Sequence, residues 1–124
     1  RPPRSTLFPY TTLFRSAKEE DSVIVGRCAD FILKDDDVDI LSVFITAPLA
    51  DRITREMDVD DMNETQAKKF IRKMDMRRKN YYNYFTKGDW GKKNTYDLIL
   101  NSSKLGVEGT VDILCSLYRN FMGQ

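Results

Sequence analysis

Histidine is absent from the chain, which removes the side chain that most often acts as a general base near neutral pH and the commonest nitrogen ligand of zinc. Triads that depend on a histidine go with it. Cysteine is scarce: Cys28 and Cys115 lie far apart with no CxxC spacing, so two free thiols of a reducing compartment are expected, with neither a disulfide framework nor a thiolate metal site. No excess of either charge is present. Twenty basic residues against nineteen acidic ones leave a net charge of +1, which supplies no field toward a polyanion, a membrane surface or an acidic partner. Any electrostatic function must be local, and neither nucleic acid nor membrane is expected as a partner. No apolar run approaches the roughly 20 residues that cross a bilayer, and no secretory-type apolar stretch opens the chain, so a cytoplasmic protein is expected. From Ala17 onward there is also no GxxxxGK[ST] phosphate loop. Gly88-Asp89-Trp90-Gly91-Lys92-Lys93 imitates part of one, but its spacing differs and it precedes a strand pattern, whereas a phosphate loop follows a strand and opens a helix.

What remains is the composition of an ordinary globular domain, 41% hydrophobic and 31% charged, with one core expected. Arg1 to Ser16, RPPRSTLFPYTTLFRS, stands apart from it. The stretch has no acidic residue and no helix or strand period, and it matches one reading frame of a common sequencing-library adapter residue for residue. Residues 1–16 are therefore expected to be foreign to the fold, and residues 17–124 to be the C-terminal part of a longer domain.

Beyond Ser22 short apolar runs alternate with helical patterns. Val23-Ile24-Val25, Leu41 to Ile45 and Tyr96 to Leu100 read as strands buried on both faces of a parallel sheet. Gly26 to Leu33 suits a short helix, and Pro48 opens a second that reaches about Met57. Asn63 with Gln66 forms a capping-box pattern at the head of a long helix ending near Tyr84 or Phe85. A last helix is expected from about Val107 to Phe121. This order describes a doubly wound α/β domain, whose ligands bind at the carboxyl ends of the strands.

Three places could carry chemistry. At about 100° per residue, Ala67, Phe70, Ile71, Met74, Tyr81, Tyr82 and Phe85 form one inward stripe of the long helix, and Arg78 falls in its middle. Two readings are open for Arg78: it faces a ligand, or it is a structural arginine that snorkels. Asp75, one turn earlier, can pair with it. Lys68, Lys69, Arg72 and Lys79 fall on the opposite, solvated side. The aromatics beside this basic helix could stack on nucleic-acid bases, but their inward period favours core packing. Arg52 and Arg55 in the Pro48 helix can present two guanidinium forks to one anion. Gly26-Arg27 stands at the carboxyl end of the first apolar run, with Asp30 within reach of the same crevice, where an arginine can hold a substrate phosphate.

Taken in order, VIVGRCADFIL, FITAPLADRITREM and KMDMRRKNYYNYFTKGDWGKKNTYDLILNSSKLGVEGTVDIL resemble the cytidylate kinase-like family of phosphate-loop nucleoside monophosphate kinases. The resemblance covers nearly all of the chain after Ala17. It implies a partial doubly wound parallel α/β sheet of phosphate-loop nucleoside-triphosphate hydrolase type with its first strands missing, together with an arginine-rich lid. By position it implies catalytic roles for Arg52, Arg55 and Arg78, with Asp75 supporting the lid. Arg27 is implied at the acceptor nucleotide, with Asp30 expected beside it as a substrate-binding residue, and Asn101, Ser102 and Ser103 are implied in the loop beside the donor adenine. Cys28 stands where cytidylate kinases carry an aspartate. The partners implied are a nucleoside monophosphate, CMP or dCMP foremost, and ATP with Mg²⁺; no protein metal site is expected. The family's glycine-rich loop of YGSGG type has no counterpart here, so the chain as given is expected to be inactive. A non-catalytic nucleotide-binding or regulatory domain of the same fold is the alternative.

Overall fold

In the computed structural model, residues 19–26, 28–34 and 38–122 are described. They form helix α1 (Ala29–Ile32), strand β1 (Val43–Thr46), helices α2 (Leu49–Val59) and α3 (Glu64–Thr86), strand β2 (Leu98–Asn101) and helix α4 (Ser102–Met122). The two strands pair in parallel, with Val43 opposite Leu98 and Thr46 opposite Asn101. A parallel pair needs a long crossover. Here it is the α2–α3 hairpin, which puts both helices between the strands in sequence and leaves the carboxyl ends of β1 and β2 side by side.

Helices α2 and α3 begin where their sequence marks them, whereas α4 begins at Ser102, ahead of the expected start near Val107. Pro48 is the cap of α2, its φ of −57° already suited to the turn. At the head of α3 the capping box is complete: the Asn63 side chain accepts from the Gln66 backbone N–H at 2.8 Å, and the Asn63 N–H donates to Gln66 Oε1 at 3.0 Å. Two donors that a helix start leaves without partners are thereby satisfied. α4 is broken at Gly106, whose φ of 76° and ψ of 167° are not helical. A Cβ there would meet nothing within 4 Å, so the glycine serves conformation and not space. Gly91, in the turn before β2, is constrained twice over. Its φ is +79° and a Cβ would come within 3.4 Å of the Phe44 ring.

The core is small. Ile53 from α2 and Ala67 and Ile71 from α3 are buried together, with Met62 packed against them. A second cluster is aromatic: Phe44 of β1 meets Trp90 edge-on at 5.2 Å and Tyr96 at 4.9 Å. The Gly88–Lys93 segment is accordingly a packed turn, its Trp90 N–H donating to Asn83 Oδ1 of α3 at 2.8 Å.

Two expectations are corrected. Val23-Ile24-Val25 is not a strand; Val23 and Val25 are 92% and 86% exposed. Its β-branched residues suit a sheet, yet among the described residues no neighbouring backbone pairs with it, and a strand exists only as part of a ladder. The inward stripe of α3 is also shorter than its period suggests. Ala67 and Ile71 are buried and Met74 and Tyr82 half-buried, but Phe70, Tyr81 and Phe85 are exposed, as is Arg78. α3 outruns α2, so among the described residues its exposed later positions have no surface of α2 to pack on. There Phe85 meets Tyr81 at a tilt at 4.8 Å and Tyr84 edge-on at 5.0 Å.

Replacing Asn63 by alanine should remove half of the capping box and lower the unfolding free energy by about 1 kcal/mol. Urea melts would read this as a lower midpoint at unchanged slope; an unmoved midpoint would mean that packing alone holds the start of α3.

Candidate functional site

Arg52 lies in the first turns of α2, directly after the carboxyl end of β1, and Asp75 and Arg78 lie one turn apart on α3. The hairpin brings the three together. Arg52 Nη1 donates to Asp75 Oδ2 at 2.7 Å, and Arg78 Nη2 donates to Asp75 Oδ1 at 2.9 Å. One carboxylate is thus shared between guanidinium groups of two helices. Their side chains are 36%, 27% and 55% exposed for Arg52, Asp75 and Arg78, so the cluster sits at a surface and keeps access to a ligand. The Arg52 Nε–H is buried and has no hydrogen-bond partner among the described residues. Arg55, one turn on along α2, is exposed and makes no ion pair among the described residues.

Partial burial by itself would raise the Asp75 carboxyl, but the hydrogen bonds and charges of Arg52 and Arg78 outweigh it and hold the group below the ordinary carboxylate range. Asp75 is therefore ionised at neutral pH. Two arginines against one carboxylate leave the triad with a net charge of about +1, a local positive charge set by these three residues.

The second group of expected residues follows β2. Asn101 Oδ1 accepts from the N–H groups of Ser103 at 3.0 Å and Lys104 at 3.3 Å, opening the first turn of α4. Ser102 Oγ donates to the Thr46 carbonyl at 3.3 Å, which ties this loop to the carboxyl end of β1.

Asp30 sits elsewhere. Its Oδ2 accepts from the Tyr82 hydroxyl at 2.8 Å and the Ser42 hydroxyl at 3.3 Å, and its Oδ1 from the Phe31 N–H at 2.9 Å. Ser42 precedes β1, so the carboxylate lies toward the entry ends of the strands, away from the Asn101–Ser103 loop. It lines an open cleft of about 410 Å³ with Lys34, Ser42, Tyr82, Thr95 and Asp97, and none of the arginine cluster lines it. Burial first, and then the bond and charge of Asp30, push the Tyr82 phenol far above its ordinary value, so it remains a donor at any physiological pH. Cys28, capping α1 in a left-handed conformation with φ of 54°, is 6% exposed. Burial and then the Asp30 charge raise its thiol, which keeps it neutral. Arg27 lies outside the described residues.

The Asp75–Arg78 pair was legible from an i, i+3 spacing. The Arg52–Asp75 bond and the Tyr82–Asp30 bond were not, since each joins residues remote in sequence; an acid and a tyrosine on opposed helical patterns were the only signal.

The lowered Asp75 carboxyl contributes stability that is complete above its unfolded value and lost as pH falls through the folded one. Urea melts of wild type and Asp75→Asn should therefore differ by a constant amount, about 1 kcal/mol, above about pH 5. The difference should shrink toward zero below about pH 4. A difference that grew with acid would contradict the shared carboxylate.

Residues 8–104 match the model of the cytidylate kinase-like family. A cytidylate kinase of Methanococcus aeolicus is 32% identical over an alignment of 101 residues that covers 79% of this chain. The chain spans 56% of that relative's length. The crystal structure of an uncharacterized protein from Eubacterium ventriosum is also similar, with a TM-score of 0.78 at 31% identity over 89% of this chain and 68% of that one. With a family match running through both strands and the arginine cluster between them, the chain belongs to the cytidylate kinase-like family.

Proposed function

We propose that this chain supplies the phosphate-clamping half of an ATP-dependent nucleoside monophosphate kinase of the phosphate-loop type, with CMP or dCMP as acceptor. The observation that carries the reading is the Arg52–Asp75–Arg78 cluster, which follows a parallel strand in a chain of this family. The relative from Methanococcus aeolicus is named a cytidylate kinase, which supports the acceptor class.

Phosphoryl transfer asks little covalent chemistry of a protein. It asks for two reactants in line and positive charge around the equatorial oxygens of the transferring group. Arg52 and Arg78 each give one N–H to Asp75 and keep the rest of the guanidinium fork for phosphate oxygens. Asp75 holds both forks in place, so less side-chain freedom is lost when an anion binds. Arg55 adds a third charge one turn away, and the loop at Asn101, Ser102 and Ser103 is suited to the edge of the donor base. Mg²⁺ enters with ATP as part of the substrate, carried on its phosphates. Among the described residues no three acidic or cysteine side chains converge as a metal site. The cradle for the donor phosphates is assigned to a glycine-rich loop that this chain does not contain, and by itself the chain is expected to be inactive.

A second reading, a nucleotide-binding domain without turnover, draws on Cys28. Where cytidylate kinases offer an aspartate, this chain has a neutral thiol that is buried and turned from solvent.

Joined to a segment carrying the phosphate loop, the protein should form CDP and ADP from CMP and ATP. Arg78→Ala should cut kcat about 10³-fold while moving the urea midpoint little, since Arg78 is exposed. Turnover equal to wild type would remove the proposed role of Arg78. Nucleotide binding with no diphosphate formed would favour the second reading.

A further inference from the structure

From Met76 to Tyr81 every residue of α3 is exposed. Six successive residues pass through more than one and a half turns, so among the described residues this length of helix has no supporting face. Arg78 lies in the middle of it. The helix is held on either side of the free span: toward its start by Ile71 in the core and by the Asp75–Arg52 bond, toward its end by Tyr82.

The Tyr82 attachment is built as an anchor. Its hydroxyl donates to Asp30 at 2.8 Å, and Asp30 has three donors in all, leaving it little capacity for a ligand. The chain of bonds continues into the sheet. Ser42, which donates to Asp30, accepts at its carbonyl from the N–H groups of Asp97 at 2.8 Å and Leu98 at 3.2 Å. Its own N–H donates to Asp97 Oδ2 at 2.8 Å. Tyr82 is thereby tied through Asp30 to the residues that start both strands.

We propose that Asp30 and Tyr82 are positioning residues, whose hydrogen bond fixes the far end of α3 and so aims the Arg78 guanidinium at the bound phosphates. The inference rests on the phosphate-clamp reading of Arg52, Asp75 and Arg78. The lever is short. Arg78 is one turn from Tyr82, about 6 Å along the axis, and two turns from Ile71, about 10 Å. Without the Tyr82 bond the far end of α3 keeps the Asn83 bond to the Trp90 turn, a fastening to a loop and not to the strand starts. A tilt of about 10° about Ile71 carries Arg78 through about 2 Å, and misplacement of about 1 Å can cost two orders of magnitude in a positioned reaction. The salt bridge does not replace the anchor, because the Arg52 side chain can follow Asp75 while the helix swings.

Inorganic tripolyphosphate serves as probe, its binding to the whole chain followed by titration calorimetry. Tyr82→Phe should raise its Kd about tenfold at unchanged stoichiometry, because the folded molecules all bind and all bind less well. Asp30→Ala should match it, and Asp30→Asn, which keeps an oxygen for both hydroxyls, should recover most of the affinity. Arg78→Gln is the control for the clamp. If it weakens binding while Tyr82→Phe does not, the positioning role is overturned and the clamp stands. If Arg78→Gln binds as wild type does, or the wild type does not bind, the clamp reading fails and the inference with it. A fall in stoichiometry at constant Kd for both Tyr82→Phe and Asp30→Asn would make the pair merely structural and overturn the proposal.

Discussion

Two arginines that belong to different helices can be held close together only if something between them is negative. Asp75 provides that charge, one oxygen to each guanidinium, at 2.7 and 2.9 Å. The geometry of α2 against α3 follows from the same contact, since Ile53, Ala67 and Ile71 pack the hairpin near its turn and the shared carboxylate closes it further along. Apolar burial alone would let the two helices slide, because it is non-directional. The ion triad is directional, and its partial exposure keeps it responsive to an incoming anion while the low dielectric beneath gives it more weight than a surface pair.

The α2–α3 hairpin is also the crossover that makes the two strands parallel. Its position in the chain, between β1 and β2, puts an arginine directly after the first strand's carboxyl end, and Ser102 Oγ on the Thr46 carbonyl holds the second strand's loop beside the same end. Fold and charge are thus arranged by one connection. The opposite ends of the strands are occupied by a different network, Asp30 with Ser42 and Tyr82, whose members are all satisfied. The two ends of the strands thus carry different networks, charged at the carboxyl ends and hydroxyl-to-carboxylate at the entry ends.

Much of this architecture was legible where the signal is local. Asn63 and Gln66 announced the start of α3 because a capping box involves only four adjacent positions. Pro48 announced α2 for a similar reason, and the i, i+3 spacing of Asp75 and Arg78 sufficed for half of the triad. The other half was closed to the sequence, since nothing in the residues near Arg52 says which acid 23 positions later it will meet. Val23-Ile24-Val25 shows the limit from another side: β-propensity describes what a segment tolerates, and only a neighbour makes it a strand. The α3 stripe failed in the same manner, for Tyr81 and Phe85 have the right period but no opposing surface. Asp30 was expected beside a substrate, whereas its contacts are with Ser42 and Tyr82, both remote in the chain.

The chain has a single tryptophan, and the turn that carries it is fastened to α3 by the Trp90 N–H on Asn83 and to β1 by the indole against Phe44. Trp90 therefore sits at the joint between the frame and the helix that bears Arg78, bonded to Asn83, the residue after Tyr82. Nature has left an optical gauge at the pivot: its emission registers the seating of α3 on the sheet, with no label attached, and it can be followed on the millisecond timescale on which such helices move.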